Sequence, residues 1–217
     1  MATENLSEIR YEIKQYYSNT NVCFDKTYTA YDGKSEHVDP TTTKKVFDSI
    51  ITHIHFTSDD VLIDCGSGLG HVLYLSSCIF NRVIGIEILP DVANESIKNL
   101  IALIGEVEYK KKIEVIIGNV FEQPDCFFDQ GTIFYIASPF PREDELSKLV
   151  DIIADSLQRK DRNAYIIYYY PHFNEIFKRY SNVFKLDAEL HLIGDVEIYK
   201  HEKQTCKKQK RRGASPP

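Results

Sequence analysis

No apolar run in the 217 residues approaches the roughly eighteen needed to cross a bilayer. The N-terminal stretch, Met1 to Arg10, lacks the basic-then-apolar order of a secretory signal. The five cysteines (Cys23, Cys65, Cys78, Cys126 and Cys206) form no C-x-x-C pair and have no ligand-like spacing to the seven histidines. These absences argue for reduced thiols in the cytoplasm or nucleus, with no structural metal and no membrane partner. No internal repeat is visible. Basic charge is also scarce, and unevenly so. The formal net charge is −6, yet residues 200–217 carry seven Lys or Arg against one Glu. The remainder holds 19 basic and 31 acidic residues, a balance of −12. An acidic body of this kind argues against broad, sequence-independent capture of nucleic acid by the folded part.

What is present starts with residues 61–70, V-L-I-D-C-G-S-G-L-G. An apolar strand runs into Asp64, then into a loop with Gly66, Gly68 and Gly70, and then into the apolar segment Val72–Leu75. Strand, glycine-rich turn and helix together hold a nucleotide-like ligand at the carboxyl end of a parallel strand. Glycine is needed where a side chain would block close approach or where φ is positive. The spacing is G-x-G-x-G rather than the G-x-G-x-x-G that packs a pyrophosphate on a helix start, and Asp64 would repel a pyrophosphate. That carboxylate suits a ligand with a positive amino group, such as the methionine part of S-adenosylmethionine. Glu87 closes the next apolar strand, Arg82 to Glu87, where a carboxylate can accept from both ribose hydroxyls.

Around this motif the chain alternates. Leu6, Ile9, Ile13 and Tyr16/Tyr17 have helical spacing, residues 19–40 are polar and turn-rich, and Val46 to Ile54 form an amphipathic stripe. The pattern predicts helix 69–79, strand 82–87, a helix from Pro90 to near Gly105, and strands 113–117 and 131–137. Helix 143–157, strand 164–170, a helix from about 172 to 180 and a closing hairpin follow. The hairpin strands are 184–192 and 196–200, with Gly194-Asp195 at the turn. This is an α/β pattern with a mostly parallel sheet and one antiparallel strand. The length suits one well-cored domain, read as residues 41–201, preceded by a helix and cap segment (1–40) and followed by a basic tail (202–217). In Tyr168-Tyr169-Tyr170, strand alternation should place Tyr168 and Tyr170 on one face and Tyr169 on the other.

D-C-G-S-G-L-G followed by G-I-E resembles the first two motifs of the seven-strand (class I) S-adenosylmethionine-dependent methyltransferases, a likeness spanning roughly residues 37–200. Within about residues 61–90, D-x-G-S-G-x-G-x-V most resembles the disruptor-of-telomeric-silencing (non-SET histone-lysine) methyltransferases. A bacterial group of unassigned substrate is similar there too. The resemblance implies a Rossmann-like sheet of order 3-2-1-4-5-7-6 with helices on both faces and a small N-terminal helical cap. It implies S-adenosylmethionine as cofactor, with Asp64, Gly66, Ser67, Gly68 and Gly70 at the methionine part, Glu87 at the ribose, and Asn119 with Phe121 at the adenine. The alternative for Asn119 is a turn residue.

The acceptor side is less defined. Ser138-Pro139-Phe140 resembles the N-P-P-Y type motif that grips a planar nitrogen, with Ser for Asn or Asp and one proline missing. The Asn-Pro-Phe of the bacterial group is a nearer fit, and a plain strand-ending turn is the alternative. Tyr28 to Thr43, with Tyr31 and His37, lies where both resembled groups fold a lid; a solvated loop is the other reading. Tyr170 and His172 are the candidate catalytic groups, against a reading of the tyrosines as core aromatics. No catalytic triad is visible, and methyl transfer demands alignment more than acid–base machinery. The lead acceptor is a protein lysine. A small molecule or nucleic-acid base, a nicotinamide-dependent reductase and a non-catalytic binding domain stay open. The basic run Lys207 to Arg212 could meet nucleic acid, an acidic protein face or an import receptor, or simply solubilise the end.

Overall fold

Successive residues of the strands feed two separate cores, and that alternation sets the architecture. In β1 (Val61–Cys65), Leu62 joins one apolar cluster while Ile63 and Cys65 join the other. The computed structural model describes residues 40–137, 140, 142–192 and 194–204. The expected N-terminal helix, the lid segment to residue 39 and the basic run 207–212 lie outside the described residues. The two-sided apolar pattern continues in β2 (Arg82–Glu87), β3 (Ile113–Ile117), β4 (Ile133–Ala137) and β5 (Ala164–Tyr169), as it must where both faces of a parallel sheet are covered. These five strands pair in parallel. The hairpin strand β7 (Gly194–His201) enters antiparallel between β5 and β6 (Lys185–Leu192). The order is β3-β2-β1-β4-β5-β7-β6, as the resemblance implied.

Helices cover both faces. On one side α1 (Pro40–Ile51), α2 (His71–Ser77) and α3 (Pro90–Ile104) bring Val46, Ile50, Leu73 and Leu100 onto Leu62, Val83, Tyr135 and Ile167. A short α4 (Glu106–Lys112) follows on the surface. On the other side α5 (Glu143–Arg159) and α6 (Glu175–Arg179) bring Leu146, Leu149, Ile153 and Phe177 onto Ile84, Phe134, Ile166 and Tyr199. The ends of α5 suit its dipole: Glu143, Asp144 and Glu145 lie in the first turn and Arg159 in the last. Among the described residues no helix is long and apolar enough to cross a membrane.

Four expectations shift. Helix α4 has no buried residue and therefore no apolar period to betray it; pairs such as Lys110–Glu106 at 2.6 Å support it instead. Strand β4 begins at Ile133, because Gly131 N–H closes a 3₁₀ turn (Phe127–Gln130) onto Phe128 O. Helix α6 starts at Glu175, since His172 N–H is taken by Tyr170 O at 2.8 Å, in a tight turn around Pro171. In the hairpin, Leu192 already pairs with Gly194, so the turn precedes Gly194-Asp195 rather than containing it.

Candidate functional site

The site lies at the carboxyl ends of β1 and β2, beside the point where strand order reverses from β1 to β4. Gly66 N–H and Ser67 N–H both donate to Ile86 O (2.9 and 3.0 Å), which fastens the loop to β2. Gly66, Gly68 and Gly70 all have left-handed φ (101°, 52° and 88°). The requirements at Gly68 and Gly70 differ. A Cβ on Gly68 would meet nothing within 4 Å, so its face of the loop is open to a ligand. A Cβ on Gly70 would run into Ser96 Oγ and lie 3.2 Å from Leu100 Cδ1, so here the glycine lets α2 and α3 close up. Ser67 turns inward: Gly85 has no side chain, and a Cβ there would sit 2.7 Å from Ser67 Oγ.

Asp64 is 2% exposed and its Oδ1 is buried without a hydrogen-bond partner. Burial, reinforced by the nearby Glu87 charge, pushes its carboxyl up to about 8. An orphaned, desolvated acceptor below an open glycine loop fits a ligand that brings a cationic amino group. Glu87 is engaged at both oxygens: Gly68 N–H donates to Oε2 and Leu89 N–H to Oε1, each at 2.9 Å. Those bonds aim the carboxylate and leave further lone pairs for hydroxyls. Ile88, directly after it, is 46% exposed, and Ile117, paired with Glu87 across β2–β3, is 45% exposed. Apolar side chains left in the open beside Glu87 offer packing for a flat ring. The sequence reading missed both, although Ile88 in I-E-I-L-P was a visible signal.

Asn119 caps the 3₁₀ turn Val120–Glu122: its Oδ1 accepts from Phe121 N–H at 3.0 Å. The turn reading of Asn119 is therefore realised, with one lone pair of that oxygen used. Phe121 and Phe140 stand together, ring centroids 5.5 Å apart, with Lys148 Nζ 4.7 Å from the Phe121 centroid. The predicted adenine-side and acceptor-side aromatics thus share one wall. Ser138, Pro139, Tyr31 and His37 lie outside the described residues.

At the end of β5 one expectation is corrected. Tyr168 packs in the second core and Tyr169 in the first, but Tyr170 joins Tyr169, not Tyr168. The cause is its backbone: Tyr170 has φ 53°, which breaks strand alternation and swings its ring to 4.3 Å from that of Tyr169. His172 lies 6.4 Å from the Tyr170 ring, nearly parallel to it. Behind them Tyr135, paired with Asp64 across β1–β4, is held well above the usual phenol range by burial, then by the charge of Asp64 and by Tyr169. A row of phenols therefore runs from Asp64 toward the β5 end.

Solved structures share this fold. An RNA methyltransferase from Salinibacter ruber, in complex with S-adenosyl-L-homocysteine, matches at 17% identity and TM-score 0.54, over 80% of this chain and 97% of that one. A precorrin-6y C5,15-methyltransferase from Geobacter metallireducens GS-15 matches at 14% identity and TM-score 0.53, over 82% of this chain and all (100%) of the other. A dimethyladenosine transferase from Plasmodium falciparum gives 15% identity and TM-score 0.53, over 74% and 62%. No curated protein matches in sequence. The sequence profile of the family described as histone methylation protein DOT1 matches residues 17–115, a stretch that carries Asp64, the glycine loop and Glu87. The fold is that of the class I S-adenosylmethionine-dependent methyltransferases. The orphaned Asp64 oxygen and open Gly68 face fit S-adenosylmethionine as a cofactor.

Proposed function

We propose that this chain is an S-adenosylmethionine-dependent methyltransferase that transfers a methyl group to a lysine side chain of a protein. The observation that carries the reading is the match of residues 17–115 to the histone methylation family. The acidic balance outside residues 200–217 supports it, since a body of charge −12 attracts basic polypeptide and repels phosphate backbones. The RNA and small-molecule enzymes that share the fold do so at sequence identities that speak to architecture alone.

In this reading Asp64 Oδ1 accepts from the amino group of the methionine part. The carboxylate of Glu87, already aimed by Gly68 N–H and Leu89 N–H, accepts from the ribose hydroxyls. Ile88, Ile117 and Phe121 enclose the adenine, with the second lone pair of Asn119 Oδ1 at its amino edge. When bound, the cofactor would supply an electrophilic methyl on a sulfonium, which a neutral amine would take up as the C–S bond breaks and its electron pair stays with the departing S-adenosylhomocysteine thioether. What the chain must do is orient the amine, exclude water and let the ammonium lose its proton first. In this reading Tyr170 and His172, at the β5 end, serve that purpose. Residues 202–217, with Lys207 to Arg212, are proposed as a separate basic segment that meets an acidic face of the substrate complex or its nucleic acid.

The test offers tritiated S-adenosylmethionine with nucleosomes, free core histones, total RNA and a metabolite pool, followed by amino-acid analysis of labelled protein. Methyl-lysine is the expected product. Label found only in RNA or in small molecules would exclude the lysine reading.

A further inference from the structure

Tyr170 is, among the described residues, the one non-glycine residue with positive φ. Such a backbone is strained and persists only where its surroundings enforce it. Here the surroundings are specific. Tyr170 N–H donates to Asp195 O at 3.0 Å, which ties the turn to the start of β7. Gly194, itself left-handed at φ 88°, lies directly against the rings. A Cβ at that position would come within 2.6 Å of Tyr170 Cε1 and 2.8 Å of Tyr169 Cε2. From the opposite face, Tyr168 Oη accepts from Phe173 N–H at 3.3 Å, and Asn174 Nδ2 donates to the buried Glu197 at 2.8 Å. Tyr199 O–H also donates to Glu197. The five residues from Tyr170 to Asn174 are thus clamped from both sides of the sheet.

We propose that Gly194 is a positioning residue of the acceptor site: it seats the rings of Tyr169 and Tyr170 so that Tyr170 and His172 present one stacked aromatic face to an aliphatic ammonium or amine. The choice of an amine rests on the lysine reading above. It agrees with the fixed charge nearby, since Asp195 follows Gly194 and its backbone carbonyl holds Tyr170 N–H. Asp195 is partly met by His191 at 3.0 Å. An aromatic face beside a carboxylate favours a cation with an alkyl stem. Tyr170 and His172 would touch the acceptor; Gly194 acts only through them.

The experiment compares the full chain with Gly194→Ala and Tyr170→Ala. Each is titrated calorimetrically with S-adenosylhomocysteine, then assayed for methyl transfer to poly-L-lysine over a range of acceptor concentrations. Both variants should bind S-adenosylhomocysteine like the parent while the acceptor KM rises at least about tenfold. Unchanged KM in both variants, or a parallel loss of S-adenosylhomocysteine binding, overturns the proposal. If the parent chain itself leaves poly-L-lysine unmethylated, the lysine reading and the amine assignment fail together. The seating is then judged separately from ring signals of 13C-tyrosine-labelled protein. Ring-current-shifted tyrosine resonances that move in Gly194→Ala support it, and identical spectra overturn it.

Discussion

Gly68 and Glu87, nineteen residues apart, share a hydrogen bond of 2.9 Å, the glycine N–H donating to Oε2. The loop proposed for the methionine part and the acid proposed for the ribose are therefore one mechanical unit, the turn at Gly68 being held by the Glu87 carboxylate.

Replacing Glu87 should accordingly cost more than two sugar hydrogen bonds. Glu87→Ala leaves Gly68 N–H and Leu89 N–H without their acceptor. Each charge-assisted bond contributes about 1.5–3 kcal/mol, so S-adenosylhomocysteine affinity should fall by roughly a hundredfold or more. Calorimetric titration measures this; a loss below fivefold would mean the carboxylate is not the ribose acceptor.

Asp64 makes the apo protein sensitive to alkali. Its folded carboxyl is pushed from 3.8 up to about 8, so between those limits the folded state holds a proton that the unfolded chain has lost. Stability is thus highest at acid pH with respect to this group. It falls by up to about 1.4 kcal/mol per pH unit as pH rises toward 8. Asp64→Asn should flatten that slope and raise Tm at pH 7.5. The same variant should lose cofactor binding, and in the parent chain binding should tighten from pH 6 to pH 8. Thermal melts at several pH values would reveal a Tm unchanged by the substitution if the carboxyl were not buried and alone.

Gly70→Ala is expected to destabilise the fold. The added methyl meets Ser96 Oγ and Leu100 at the α2–α3 contact, and the backbone at φ 88° disfavours any side chain. A loss of about 1–3 kcal/mol follows. Gly68→Ala, with open space around its Cβ, should instead cost cofactor affinity more than steric fit. Paired denaturation and binding curves on the two variants separate these effects.

Arg162 anchors the amino-terminal end of β5, far from the site. Its guanidinium donates to the carbonyls of Gly131, Ser156, Lys160 and Phe128 and to Ser156 Oγ. Arg162→Ala should cost about 2–4 kcal/mol of stability, through half-buried acceptors left unpaired, with S-adenosylhomocysteine affinity unchanged. A change in affinity without a change in Tm would contradict this assignment.

Much of the frame was legible because strands buried on two faces are written as dense apolar runs. Strands 82–87 and 113–117 match the structure residue for residue. The strand-end cluster of Asp64, the glycine loop and Glu87 was legible for a related reason: glycines and acids at strand ends have few other uses. What escaped shares a property. Helix α4 rests on charge pairs and not on an apolar stripe; Ile88 is informative only because it stays exposed; and Arg162 bonds to backbone carbonyls that no pattern of side chains reveals. Tyr170 escaped through its backbone. Alternation assigns faces only while φ stays extended, and at 53° the next residue follows no such rule.

The reversed direction of β7 has a consequence for how the pocket can change. In a wholly parallel sheet every strand opens toward ligand with its carboxyl end, and each amino end is delivered to the opposite rim. Because β7 runs against β5, its first residues, Gly194 and Asp195, arrive beside Tyr169 and Tyr170, more than a hundred residues of chain after Asp64. In the proposed reading, acceptor preference can therefore be retuned within the terminal hairpin while the glycine loop, at the far side of the β1–β4 junction, is left untouched.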